Sequence, residues 1–557
     1  MSPIIKGRLG DRLIDKGWIT PEQLDLALGE QRRAHRPLGE ILLSLSFVSD
    51  EKIASLLAED LGLPFKHASE VSPDPLLCAS VDADFVRQTQ AFPVRLEAGA
   101  LQVLMADPDD PQKVSIVRKR FPYTLEIAVT TETDLLRLVR SHLPREEGRV
   151  AELFTVLDDP TRTVEDFPVE RMTNAVLLDG IHRGATDVHV EPDERVTRVR
   201  YRIDGILRQG ENLPAKATAA IVSRIKILAG LDISERRRPQ DGRIRMNVDE
   251  RNVDMRVSVM PCAHGENVVV RILDRASGGT RLQELGLSPT IQRHLHCVTE
   301  RSHGLFLVTG PTGSGKTTTL YSMLQTVDAV RRNVATIEDP IEFQIPLLRQ
   351  SQIDPSIGFG FAEGLRSLLR QDPDVILVGE IRDFETADMA VKASMTGHLV
   401  FSTLHTNTSF GAVPRLSDIG VDPFLIEDAL IGVLAQRLVR TLCALCSEPT
   451  ELSAADRAWL GDDVGKPKSA HGCDRCAGTG FAGRIAITEL FLPDDAIAEA
   501  IHARASAKVL YDLACKRGFR SMEDDGKDKV RAGLTTRQEV MRVNHGHRLT
   551  EDELEDV

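Results

Sequence analysis

The stretch "LFLVTGPTGSGKTTTLYSML", residues 305 to 324, constrains the fold more than any other part of the chain. Leu305 to Val308 are consecutively apolar, so a strand there has no polar face and must be covered on both sides. The glycine-rich turn that follows fits G-x-x-x-x-G-K-[ST]. Leu320, Met323, Leu324 and Val327 then share one helical face. "VATIED", "DVILVGE" and "HLVFSTL" add short apolar runs separated by helical stretches. The expectation is an α/β fold built on a mostly parallel sheet with helices on both faces.

Gly310, Pro311, Thr312, Gly313, Ser314, Gly315, Lys316, Thr317 and Thr318 are the candidate residues for ATP and Mg²⁺. The glycines let backbone N–H groups approach phosphate oxygens, and the helix N-terminus adds partial positive charge. Lys316 should reach the β- and γ-phosphates, and the Thr317 hydroxyl should ligate magnesium. Two further strand ends carry acids: Glu338, Asp339 and Glu342 after one, Glu380 and Asp383 after the other. Ligands of open parallel sheets bind beyond the C-terminal strand ends, so these acids are expected to converge on the γ-phosphate and metal. One would orient the attacking water and another hold magnesium, while Asp339 and Asp383 read equally well as caps or surface acids. His398 and His405 flank the last apolar run and lie ~23 Å apart if extended, too far to share a metal. His405, at the C-terminal end, is the one placed to sense a γ-phosphate.

At 557 residues the chain exceeds one core. Its 42% hydrophobic and 27% charged residues are those of a soluble globular protein, and its net charge of −14 argues against nucleic acid or anionic lipid as a direct partner. No apolar run approaches the ~18 residues of a membrane span, and the N-terminus lacks the apolar core of a signal peptide. Residues 8 to 31 are echoed by residues 37 to 60 at an offset of 29. Each copy reads as two short helices, the second opened by Thr20 or Ser49 as N-cap. "DVHVEP", "RVRYRIDGIL", "VDMRVSVMP" and "NVVVRIL" read as strands of a second α/β unit.

With "ATDVHVEP" ahead of them, "GPTGSGKTTTLYS", "TIEDPIEF", "LLRQDPDVILVGEIRD" and "TGHLVFSTLHTN" resemble the Walker A, aspartate, Walker B and histidine boxes of the ATPases of type II secretion and type IV pilus systems. The resemblance implies a RecA-like P-loop core, a PAS-like α/β domain ahead of it and a homohexameric ring. It makes Glu342 the general base and Glu380 the Walker B acid, and it gives Arg256 and Arg271 to the nucleotide from the preceding domain. The implied layout is 1–70 helical repeat, 71–145 small α/β subdomain, 146–170 linker and 171–278 arginine-supplying domain. There follow 279–440 ATPase core, 441–490 tetracysteine module and 491–557 helical tail. "GAVPRLSDIGVDPFLIEDALIGVLAQRLVRTLC" looks more like the type II secretion branch than the pilus extension branch. That branch implies a cytoplasmic protein, indirectly associated with the inner membrane through platform proteins of the GspL and GspF type. The alternatives are a pilus extension motor and, from another class, a nucleic-acid translocase using "SERRRPQDGRIR". The charge balance and the lack of aromatic residues beside those arginines oppose the latter.

Cys443, Cys446, Cys473 and Cys476 form C-x2-C-x26-C-x2-C, which predicts a structural Zn²⁺ site with every position filled by thiolate. The first N-terminal copy resembles the cyclic di-GMP motif found in MshE-type ATPases, with Arg8, Leu9, Gly10, Asp11, Leu38 and Gly39 as candidate contacts. The second copy departs from it at Pro37, Ser46 and Asp60. Ligand binding and docking to a membrane-bound partner both remain open readings of this repeat.

Overall fold

The computed structural model describes residues 9–71, 73–97, 99–143, 168–248, 251–274, 280–461, 463–473 and 476–544. Arg8 and most of the expected linker lie outside them. The chain divides into two units, Met1–Asp158 and Asp159–Val557.

In the first unit the repeat forms α1 (Leu9–Asp15), α2 (Pro21–Ala34), α3 (Leu38–Ser44) and α4 (Asp50–Leu61). Thr20 closes a capping box on α2: its hydroxyl accepts from the Gln23 N–H at 3.2 Å and its own N–H donates to the Gln23 side chain at 2.9 Å. Ser49 accepts from the Lys52 N–H at the start of α4. Equivalent positions of the two copies fill one core, Leu13 with Leu42, Ile19 with Val48 and Ala27 with Leu56. A three-stranded sheet follows: β1 (Ala91–Glu97) antiparallel to β2 (Ala100–Met105), which is parallel to β3 (Thr124–Val129).

The second unit opens with an antiparallel sheet of β4 (Asp187–Pro192), β5 (Val196–Ile203), β6 (Ile206–Pro214), β7 (Gln240–Val248), β8 (Arg251–Cys262) and β9 (Gly265–Asp274), ordered β6-β5-β4-β9-β8-β7. Val188, Val199, Met255 and Val270 are buried on the face that carries the helices Val169–His182 and Thr218–Leu228. The expected strand "RVRYRIDGIL" is a hairpin, because Asp204 and Gly205 both take positive φ, as a two-residue turn requires.

The larger sheet contains β10 (Gly304–Thr309), β11 (Val334–Glu338), β12 (Arg349–Gln352), β13 (Val375–Val378), β14 (Leu399–Leu404) and β15 (Leu430–Leu442). After the two-residue β16 (Glu448–Pro449) and β17 (Lys468–Ser469), β18 (Phe481–Phe491) completes it. The order is β12-β11-β13-β14-β10-β15-β18, and every neighbouring pair is parallel except β15 with β18. Leu305 and Leu307 enter one hydrophobic cluster and Phe306 and Val308 another, so β10 is covered on both faces as its apolar run demands. Among the described residues no helix is long and apolar enough to cross a membrane.

Candidate active site

The phosphate loop runs from β10 into the helix Lys316–Leu324. Gly310 has φ of 148°, and a Cβ there would stand 2.5 Å from the Gln436 carbonyl oxygen, so only glycine fits. Gln436 on β15 holds the loop from below: its side chain donates to the Ser314 carbonyl at 2.6 Å and accepts from the Thr319 hydroxyl at 2.8 Å. The sequence reading passed over Gln436, although a lone amide inside a buried apolar strand is a visible signal. Two features fit a phosphate guest. The buried Ser314 hydroxyl has no hydrogen-bond partner among the described residues. The Lys316 ammonium sits inside the loop, donating to the Gly310 and Pro311 carbonyls at 2.9 and 3.1 Å. Burial pushes the Lys316 pKa below its ordinary value, and Glu380 opposes that shift.

Glu380, just past β13, is nearly buried. His405 Nε2 lies 3.5 Å from one of its oxygens and Arg382 Nη2 lies 2.5 Å from the other. His398 stands at the opposite end of β14, where its Nδ1 is 2.9 Å from the Ala393 carbonyl. Asp383 caps the helix Phe384–Met395 by accepting from the Thr386 N–H at 2.9 Å. Glu338 is 3% exposed and accepts hydrogen bonds from Tyr321, Thr336 and Gln350.

Glu342 faces the antiparallel sheet across a cavity of about 190 Å³ lined by Arg243, Arg245, Arg256 and Gln352. One rung of that sheet reads Arg243, Arg256, Arg271, Asp187, Arg202 across five strands. Arg271 Nε donates to the buried Asp187 carboxylate at 2.9 Å, whereas Arg256 feels Glu342 and Asp339. Burial raises the Glu342 pKa, and Arg256 and Arg271 pull it back down. Arg243 was not anticipated, because "QDGRIR" was read as a basic patch; it is β7, whose alternation turns Arg243 and Arg245 to the cavity.

At the other end of β15, Cys443, Cys446, Cys473 and Cys476 place their sulfurs within 4.8 Å of one another. Sγ–Sγ separations of 3.8 Å match the ~3.8 Å edge of a tetrahedron with ~2.3 Å metal–sulfur bonds and are far too long for a disulfide. Backbone N–H groups of Gly472 and Gly480 donate to Cys446 and Cys476 sulfurs at 3.3 and 3.1 Å, which suits thiolates.

In the first unit Leu9, Gly10, Asp11, Leu38 and Gly39 lie on α1 and α3. A Cβ on Gly10 would come within 2.5 Å of a Leu24 methyl, so a larger residue there would have to displace that side chain. Asp60, where the motif has glutamine, forms an ion pair with Arg12.

A mostly parallel sheet, a phosphate loop leaving a central strand, and acids just past the ends of β11 and β13 define a RecA-like P-loop protein. The family described as "Type II/IV secretion system protein" matches residues 162–542, and an MshEN domain matches residues 61–149. The chain therefore belongs to the type II/IV secretion system protein family. The type II secretion system ATPase E of Vibrio cholerae is 48% identical over 389 residues, covering 69% of this chain and 77% of that protein. The type IV pilus assembly ATPase PilB of Myxococcus xanthus is 37% identical over 561 residues, covering 96% and 99%. The solved structure of the Yersinia pseudotuberculosis ATPase DotB, at 19% identity and TM-score 0.52 over 70% of this chain and 97% of that one, shares the fold.

Proposed function

We propose that this chain is the cytoplasmic ATPase of a type II secretion system, turning ATP hydrolysis into domain motion that drives pseudopilus assembly and protein export. The observation that carries the catalytic reading is Glu342, on the loop after β11, sharing a cavity with Arg256 on β8, the two half-buried and acting on each other's charge. In this reading Gly310 to Thr318 wrap the phosphates, and Lys316 exchanges the loop carbonyls for β- and γ-phosphate oxygens. Thr317 and Glu380 would hold Mg²⁺, which screens phosphate charge when bound. Glu342 orients and deprotonates the attacking water, His405 reports the state of Glu380, and Arg256 and Arg271 stabilise charge on the transferring phosphoryl.

The tetracysteine cluster would hold a structural Zn²⁺ that clips the loop between β15 and β18. The motor would act as a homohexamer at the inner face of the inner membrane, through the cytoplasmic parts of platform proteins. The stretch "GAVPRLSDIGVDPFLIEDALIGVLAQRLVRTLC" and the 48% identity to a secretion ATPase over 389 residues favour secretion rather than pilus extension as its client. The N-terminal repeat would offer cyclic di-GMP one half-site from the first copy, since Pro37 and Asp60 remove side chains from the second. Calorimetry on the full chain tests this, and the absence of heat at micromolar ligand would leave the repeat as a docking element.

Lys316→Ala and Glu342→Gln test the catalytic reading. Both should abolish phosphate release while circular dichroism and melting temperature stay near the parent. Turnover retained by either would displace the chemistry from these residues.

A further inference from the structure

The loop that carries Glu342 is held at its backbone from two sides. From β12, Gln350 accepts from the Ile345 N–H at 2.7 Å and donates to the Phe343 carbonyl at 3.1 Å. From the other side comes Tyr321, on the same helix as Lys316 and Thr317. The Glu342 N–H donates to its hydroxyl at 3.3 Å, and its ring packs edge-on against Phe343 with centroids 4.7 Å apart. The hydroxyl in turn donates to Glu338, which also accepts from Thr336 at 2.5 Å and Gln350 at 3.2 Å.

This arrangement asks more than packing does. Tyr321 is 1% exposed and Glu338 3% exposed, and phenylalanine with glutamine would fill the same space without a buried charge. No lysine or arginine among the described residues stands within ion-pair distance of Glu338. Burial accordingly raises its pKa, against the pull of its three donors. A carboxylate kept there with only neutral donors makes a strong, directional acceptor for one phenol. That phenol is the side-chain link between the phosphate-loop helix and the Glu342 backbone.

We propose that Tyr321 is a positioning residue that ties the water-activating loop to the phosphate loop, with Glu338 as its fixed anchor rather than a participant in proton transfer. The inference rests on the assignment of Glu342 as base. Movement of the helix when phosphate binds is thereby passed to the Glu342 backbone through one hydroxyl. Neither Tyr321 nor Glu338 need touch nucleotide, so their loss should affect kcat and spare binding.

The test uses the full chain and four variants. Tyr321→Phe, which keeps the ring contact with Phe343, should lower kcat roughly tenfold or more, since small misplacements of a catalytic group cost that much. KM for ATP should stay within about twofold, and a nonhydrolysable analogue should bind with parental stoichiometry. Glu338→Gln, whose carbonyl still accepts from Tyr321, should retain most turnover, whereas Glu338→Leu should reproduce the Tyr321→Phe defect. A parental kcat in Tyr321→Phe, or lost analogue stoichiometry in step with kcat, overturns the inference. So does a Glu338→Gln enzyme as inactive as Glu342→Gln, because Glu338 would then act chemically. Full activity in Glu342→Gln would instead sink the base assignment, leaving a different pattern of results.

Discussion

Arg256 and Arg271 are neighbours on one rung, but only Arg271 has an acid of its own in Asp187. Arg256 has no such pair among the described residues and acts on Glu342 more strongly than Arg271 does. Arg256→Ala should lower kcat on the order of 10²-fold, with a smaller loss of nucleotide affinity. The pH profile gives an independent reading. Burial lifts the Glu342 carboxyl above its ordinary value and the two arginines lower it, so removing Arg256 leaves it higher still. A base must be ionised to work, so the acid limb of kcat should move to higher pH in Arg256→Ala. An acid limb that stays in place would mean the two groups are not coupled in the working enzyme. Gln436 offers a stability prediction: Gln436→Leu leaves the Ser314 carbonyl and Thr319 hydroxyl without their partner and should cost about 1–3 kcal/mol in denaturant unfolding.

At the scale of elements, β10, β11, β13 and β14 were legible because strands buried on both faces read as short, mostly apolar runs. β12 was not: "RQSQ" is a polar edge strand, and nothing local distinguishes it from a loop. β15 and β18 are recognised only as partners, since their register spans the whole tetracysteine insertion. The tail expected to be helical over 491–557 carries helices from Asp495 onward, just after β18 ends at Phe491. In the site, the phosphate loop and its cysteine counterpart were visible as spacings, whereas the Tyr321–Glu338 pair was hidden because each residue alone looks like ordinary core or strand end. The insertion carries its own prediction. Because its ends are paired along β15 and β18, a chelator should strip about one zinc per chain and open the loop between Cys443 and Cys476 to protease. The sheet should keep its melting transition, and a loop equally resistant with and without chelator would show that metal does not clip it.

Within the second unit, the antiparallel sheet meets the larger sheet through small polar contacts. The Gly483 N–H donates to Asp204 at 3.1 Å, Arg484 lies 3.9 Å from the same carboxylate, and the arginine rung faces Glu342 across an open cavity. Contacts of this kind cost little to break, which suits the lobe motion proposed above. Arg243 and Arg256 stand across that cavity from Glu342, so in the proposed mechanism closing it would complete the catalytic set and opening it would dismantle the set. Native cysteines allow the motion to be measured, since exposed Cys262 ends β8 and exposed Cys515 ends the helix Ala507–Cys515. With Cys297→Ser removing the other exposed thiol outside the metal cluster, spin labels at Cys262 and Cys515 should report two distance distributions. One belongs to a nonhydrolysable triphosphate and another to ADP. Asp204→Ala should broaden the nucleotide-free distribution by releasing the hairpin from β18. Identical distributions in all nucleotide states would leave hydrolysis with no lobe to drive, and the motor reading would fall even if every catalytic variant behaved as expected.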